Sequence, residues 1–245
     1  FYIEGGQLLA AIAGGDAPDL VEDISYLQVI ARDVILPIDD FVAASDAISF
    51  DDGDIAKQSW EAFSWQGQHY GVPSCDVGGR EGLGFNLDVI DAAGLDVDNL
   101  PTTWEEVFAW HQQITTYDAA GNLNILGMDP MAERTGACSF GDPLMWPHMW
   151  GFNYISDTLE YDIDRPETVA FLKVIKMFSD DVGVEKLTGM GAAFEGMSRG
   201  AYGAGKVGMR ITYPSGPGSL WKNNPAQHHK FTYVPVPESR KGVTV

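Results

Sequence analysis

Apolar positions along this chain recur in two spacings, and the two alternate. Leu8, Leu9 and Ile12 in Leu8 to Ala13 follow a helical period, and Gly14-Gly15 supplies the stop. Pro18 to Val21 leads toward a short strand. At Thr102-Thr103-Trp104-Glu105-Glu106 two capping boxes overlap, Thr102 with Glu105 and Thr103 with Glu106, and start a helix carrying Val107, Trp110 and Ile114 on one face. A second long helix begins at Asp164, with Pro166 in its first turn and Glu167 after it, and is expected to bury Val169, Leu172, Ile175 and Phe178. Residues 192–199 read as helical, whereas Val207 to Thr212 alternates as a strand does, and Phe231 to Val236 reads as another strand. Helices alternating with short strands predict an α/β fold.

Composition narrows the class. With 45% hydrophobic and 20% charged residues the chain is an ordinary globular sequence, and no apolar run approaches the roughly 18 residues that cross a bilayer. There is no basic leader and no initial Met, so any export signal is expected to have been removed or to lie outside this sequence. The 15 basic and 35 acidic residues leave a formal charge of −20, which repels nucleic acid and anionic lipid. No nucleic-acid partner is expected. Cys75 and Cys138 permit one disulfide without requiring it and stand in no C-x-x-C spacing, and free thiols are the favoured reading.

The motif that first attracts attention is Gly200-Ala201-Tyr202-Gly203-Ala204-Gly205-Lys206, which has the G-x-x-x-x-G-K spacing of a phosphate-binding loop. Val207 stands where that loop needs a hydroxyl for magnesium. Phosphate loops also run from strand to helix so that the helix N-terminus meets the anion, whereas this segment runs from helix to strand. No nucleotide cofactor is expected. Asp51-Asp52-Gly53-Asp54 lacks the spacing and closing Glu of a calcium loop, and the five histidines lack H-E-x-x-H spacing, so no metal is expected either. The adjacent His228 and His229 should point in different directions, at the surface ahead of a strand.

Segments spread over nearly the whole chain resemble, in order, those of the family 1 extracellular solute-binding proteins, the sugar-type receptors of ABC importers related to maltose-binding protein. They are Gln7 to Leu20, Leu36 to Phe41, Gln66-Gly67-Gln68-His69-Tyr70-Gly71-Val72-Pro73, Gly84 to Asp88, Ala92 to Asp96, Leu100 to Glu106, Phe194 to Thr212 and Phe231 to Pro237. The resemblance implies a two-lobed, type II periplasmic-binding-protein-like α/β fold with an incomplete N-terminal lobe. Residues 1–76 would form that partial lobe, its first strand missing, 77–230 the C-terminal lobe, and 231–245 the return crossing. It further implies a part of a longer receptor, one that holds a carbohydrate between its lobes and delivers it to ABC permease subunits without chemistry. Such a receptor would be a monomer, periplasmic or extracellular, or lipid-anchored in its full-length form.

The same resemblance selects candidate ligand contacts. Asp76 and Arg80, in the loop at the first crossing, offer an acceptor and a forked donor for vicinal hydroxyls, or a hinge ion pair. Trp146 and Trp150 offer faces for sugar rings, as does Tyr213 with Ser215 beside it in the loop after the 207–212 strand. Trp110, Phe171 and Phe178 are expected in the core, while Trp60, Trp65 and Trp221 could serve either purpose. Arg80 and Arg210 keep a phosphorylated or acidic solute, such as a glycerol phosphate, in play. With 35 carboxylates, composition alone leaves a glycoside hydrolase open.

Overall fold

Strand β3, Gly82–Asn86, and strand β6, Val207–Thr212, pair antiparallel with Leu83 opposite Ile211 and Phe85 opposite Met209. Those four side chains are buried in one apolar cluster with Trp104, Val107 and Phe178. The computed structural model describes residues 5–21, 29–51, 53, 55–73, 81–128, 146–152, 162–197, 199–212 and 216–243. The chain divides into two units, Phe1–Gly78 and Gly79–Val245.

The second unit is built on a five-stranded sheet. Around β3 and β6 lie β4, Thr116–Tyr117, β5, Leu123–Met128, and β7, His229–Thr232, in the order β4-β5-β6-β3-β7. β5 and β6 run parallel and the other pairs antiparallel. The expected strand at 207–212 forms at the predicted residues, but all six of them are buried instead of alternating. β6 has a strand on each side, Met209 and Ile211 meet the main cluster, and Arg210 lies under the Tyr202 ring. A central strand covered on both faces loses its polar alternation.

Helix α4, Leu87–Ala92, starts at once from β3, with Asn86 accepting the Val89 N–H at 3.3 Å as its cap. Helix α5, Trp104–Ile114, begins on the capping box of Thr103 with Glu106, and Glu106 also accepts from the Thr102 N–H and hydroxyl. Of the two overlapping boxes the chain uses the second. Val107 and Ile114 are buried as expected, while Trp110 is half-buried against the cluster. Gly127 of β5 lets helix and strand approach closely, since a Cβ there would stand 2.3 Å from the His111 Cα.

Helix α6, Trp146–Trp150, is followed by α7, Pro166–Val182, with Arg165 at its N-cap and Pro at its first position. Its buried residues are Phe171, Phe178 and Val182, with Val174 and Ile175 partly buried, whereas Val169 and Leu172 are exposed. The predicted face was therefore misplaced at its start. Steps of three along a 3.6-residue turn drift round the helix, so 169, 172, 175 and 178 cannot all share a face; 171, 175, 178 and 182 do. Helix α8, Val184–Ala193, takes in only the first two residues of the region read as helical at 192–199, residues 194–197 form turns and a bend, and α9, Gly200–Gly203, leads into β6. Helix α10, Gly216–Asn223, lies between β6 and β7. A second apolar cluster contains Leu126, Val182, Leu187, Met190, Tyr202, Val207 and Leu220.

Residues 231–243 lie in this second unit. β7 pairs with β3, Val236 bridges Thr103, and Val234 and Val236 are buried.

The first unit is slighter. It holds α1, Gly5–Ala13, α2, Asp39–Ala43, and α3, Lys57–Glu61, with a hairpin of β1, Ser64–Trp65, and β2, Gln68–His69. The hairpin turns on Gln66-Gly67, both at positive φ (50° and 79°), as a two-residue hairpin turn of the primed type requires. α1 ends where expected, Gly14 donating to the Ala10 carbonyl at 2.9 Å and Gly15 to that of Ile12 at 3.1 Å. Residues 18–21 form no strand, and 22–28 lie outside the described residues. Leu8, Val29, Ile30, Val42 and Trp60 are its buried apolar residues, with Trp60 edge-on to Phe50 at 4.8 Å.

Candidate ligand site

Of the six candidate contacts, Trp146 and Trp150 lie among the described residues; Asp76, Arg80, Tyr213 and Ser215 lie outside them, as do Cys75 and Cys138. One turn of α6 places both indoles on the same side, i and i+4. They meet at Phe171 of α7: Trp146 stacks on its ring at 4.6 Å and 2° between planes, and Trp150 approaches edge-on at 5.4 Å. Phe152 adds a further edge to Trp146 at 5.8 Å, and the Arg165 guanidinium lies 4.5 Å over Phe152. Phe171 is buried while both indoles remain half-exposed. The arrangement seats two partly buried amphipathic rings on an apolar base.

α6 is fastened at its C-terminal end. The Arg240 guanidinium donates to the His148 carbonyl at 3.1 Å, passing so close to Gly151, at φ 82°, that a Cβ there would lie 1.9 Å from Arg240 Nη1. Glycine is required by both the conformation and the space. Arg165 is held by Asp162 at 3.5 Å and Glu167 at 3.4 Å.

Arg210 does not belong to this site. It is 1% exposed, with its guanidinium 5.2 Å from the Tyr202 ring centroid, so the expectation that it could meet an acidic solute is corrected. Burial raises the Tyr202 phenol above its ordinary pKa, and the Arg210 charge partly opposes that. The Tyr202 hydroxyl lies 3.1 Å from His229 Nδ1, and His229 Nε2 lies 3.1 Å from Gln227 Oε1. His229 is thus half-buried at the first position of β7, not a surface residue as expected; His228 is exposed and points elsewhere, to Asp88. Burial lowers the His229 pKa.

The glycine-rich segment resolves as helix-to-strand. After α9, Lys206 donates to the Ala201 carbonyl at 2.9 Å, while Asn224 and Gln227 donate side-chain N–H groups to the Gly203 carbonyl at 2.7 Å and 3.1 Å. His111 was not singled out by its sequence position, yet it is fully buried, its Nδ1 accepting the Met128 N–H at 2.9 Å. Burial lowers its pKa to about 4, against the Asp181 carboxylate 3.4 Å away, which raises it. Trp60 is buried, Trp65 half-buried and Trp221 is 78% exposed. Phe171 and Phe152, which support the indoles, could not have been tied to them from sequence, because no local spacing joins residues 146, 152 and 171.

No group of three or more His, Cys, Asp or Glu able to hold a metal occurs among the described residues. Asp51 sits in a turn, its N–H bonded to the Ser49 hydroxyl at 3.1 Å, while Asp52 and Asp54 lie outside the description.

Residues 2–244 match the profile of the bacterial extracellular solute-binding proteins. The chain belongs to that family. It is a family of binding proteins without catalytic function. No curated protein matches the sequence. Among solved structures, CpMnBP1 with mannobiose bound is 22% identical, with a TM-score of 0.77 over 97% of this chain and 58% of that one. The ABC substrate-binding protein of Listeria monocytogenes in complex with cycloalternan is 21% identical, with a TM-score of 0.67 over 95% and 56%. The ABC transporter solute-binding protein of Thermotoga lettingae bound with alpha-D-tagatose is 19% identical, with a TM-score of 0.67 over 94% and 57%. These likenesses establish the periplasmic-binding-protein-like α/β fold of the family. The chain spans less than two thirds of the length of each of these three structures. No helix among the described residues is long and apolar enough to cross a membrane.

Proposed function

We propose that this family member is the carbohydrate-binding component of an ABC importer, holding a saccharide and passing it unchanged to permease subunits outside the cytoplasmic membrane. The observation that carries this reading is the pair of half-exposed indoles, Trp146 and Trp150, braced on Phe171. The apolar C–H face of a pyranose stacks on such rings while its hydroxyls reach polar partners. The fold neighbours named above hold a mannobiose, a cycloalternan and a tagatose, which supports a saccharide. Asp76, Arg80, Tyr213 and Ser215 complete the proposed contact set, with carboxylate and guanidinium bonding vicinal hydroxyls. The receptor of this reading is a monomer that is periplasmic, extracellular or lipid-anchored.

A thermal-shift screen against mono-, di- and oligosaccharides, polyols, sugar phosphates and amino acids, with analysis of the recovered ligand, tests this. A ligand at 100 times its dissociation constant stabilises by about 2.7 kcal/mol. A saccharide that raises the midpoint and is recovered intact is the expected result. A cleaved saccharide would overturn the non-catalytic reading, and a shift with amino acids or sugar phosphates alone would overturn the carbohydrate reading.

A further inference from the structure

Among the described residues the same three contacts occur once in each unit, between residues far apart in sequence. In the first, the Ile38 N–H donates to the His69 carbonyl at 2.8 Å, the His69 N–H donates to Asp39 Oδ2 at 2.9 Å, and His69 Nδ1 lies 2.9 Å from Asp39 Oδ1. In the second, the Leu87 N–H donates to the His228 carbonyl at 2.8 Å, the His228 N–H donates to Asp88 Oδ2 at 2.9 Å, and His228 Nδ1 lies 2.8 Å from Asp88 Oδ1. Each aspartate stands in the first turn of a short helix, Asp39 in α2 and Asp88 in α4, and each histidine stands at a strand, in β2 or just ahead of β7. An ionised carboxylate only accepts hydrogen bonds, so both imidazoles must carry a proton on Nδ1.

We infer that these are two copies of one device: a clamp in which a helix-starting aspartate grips the backbone and ring N–H groups of one histidine, closed while the aspartate is ionised and opened by acid. The pairing is specific because the carboxylate's two oxygens take two donors from one residue, while the preceding residue's N–H returns a bond to the histidine carbonyl. Helix start and strand end are thereby joined at three points. The carboxyls respond as the geometry demands. The His69 side-chain bond holds Asp39 below its ordinary pKa, and the His228 backbone and side-chain bonds do the same for Asp88. A depressed carboxylate contributes stability that is complete above its ordinary value of 3.8 and is lost as pH falls through the lower folded value, so both clamps open only on the acid side of 3.8.

The surroundings differ. His69 stacks on Phe50 at 4.3 Å and meets Trp60 edge-on at 6.1 Å, and Asp40 follows Asp39 in the first turn of α2. The His228 side chain is 74% exposed, with His229 and Lys230 following it in β7 and no ring contact to it among the described residues. Its placement depends on Asp88.

Nitrogen-15 NMR of the histidine rings in the full chain, from pH 8 to pH 3, tests the inference with an internal control. His69 and His228, when neutral, should show Nδ1 protonated, whereas His111, whose Nδ1 accepts the Met128 N–H, should show the opposite tautomer. A rapidly averaging tautomer mixture at both clamp histidines would overturn the clamp. The Ile38 and Leu87 amides should lose exchange protection as the Asp39 and Asp88 carboxyls, followed by their own side-chain shifts, take up a proton; protection of both retained after those carboxyls have titrated would overturn acid release. Asp88→Asn should remove the Nδ1–H state at His228. Should that variant fold poorly, His228→Asn, which supplies a side-chain N–H, should keep the backbone amide at that position slow to exchange, and His228→Ala should speed it at least tenfold. Equal exchange in those two variants would overturn the proposal.

Discussion

The two units of this chain contrast in how they are held together. Among the described residues, the second has a five-stranded sheet with two buried apolar clusters, and Trp104, Phe85 and Phe178 are fully buried. Among its described residues the first has a two-residue-per-strand hairpin, three helices of 9, 5 and 5 residues, and exposed apolar side chains at Leu20 (87%), Leu36 (73%) and Phe41 (68%). Apolar burial per residue falls steeply in small units, so the first depends more on particular polar and aromatic contacts, such as Asp39 with His69 and Phe50 with Trp60, than on a core. The lesson is that mutations should divide by unit: volume matters in the second, pairing in the first.

The largest test of that division is Phe178→Ala. It removes a ring at 0% exposure that meets Trp104, Phe108 and His111, and should lower the stability of the second unit by about 3–5 kcal/mol in urea unfolding. An effect below about 1 kcal/mol would show that the sheet core is not the dominant store of stability. Next comes acid. His111 is buried and neutral, with a pKa lowered from 6.5 to about 4, so the folded state resists protonation. Its contribution is complete above about pH 6.5 and is lost as pH falls toward 4, at about 1.4 kcal/mol per unit and on the order of 3 kcal/mol in total. His229 acts in the same direction. Urea midpoints of the wild type and His111→Asn between pH 8 and 4 should show a steep decline in the first and a shallower one in the second; parallel curves would remove His111 from the account.

A smaller effect is expected at the helix cap. Thr103→Ala deletes the hydroxyl that accepts the Glu106 N–H at 3.3 Å and should cost about 1–2 kcal/mol, read as a lower thermal midpoint. Lys241→Ala should do least. Lys241, together with the Thr102 and Thr103 N–H groups, holds Glu106 down to about 2, yet the ammonium is 47% exposed and its partner 37%. Screening by water should keep the loss the smallest of the four, read as a thermal midpoint close to that of the wild type, and salt should reduce it further.

How far the sequence alone reveals this molecule depends on whether a signal is local. Gly14-Gly15 ending α1, Thr103 with Glu106 opening α5, and Pro166 opening α7 are all local, and each is found where the residues put it. The order of segments carried the family and the fold. Burial of Val207 to Thr212 on both faces is set by neighbours distant in sequence, which is why an alternating pattern misled. The exposed Val169 and Leu172 show the same limit: the composition of α7 allows several faces, and packing of Phe171 and Phe178 chooses one. At the site, the two indoles were legible as a pair on one turn; Phe171 beneath them and the burial of Arg210 under Tyr202 were not, because both depend on tertiary contacts.

The central claim is that the Trp146 and Trp150 faces bind a saccharide. Calorimetric titration of the best saccharide from the ligand screen into the wild type, Trp146→Ala and Trp221→Ala tests it most directly, because Trp221 is a 78% exposed indole outside the Phe171 cluster. The account predicts at least a tenfold weaker affinity, about 1.4 kcal/mol, for Trp146→Ala and none for Trp221→Ala. Unchanged affinity in Trp146→Ala, with the fold intact, would contradict it.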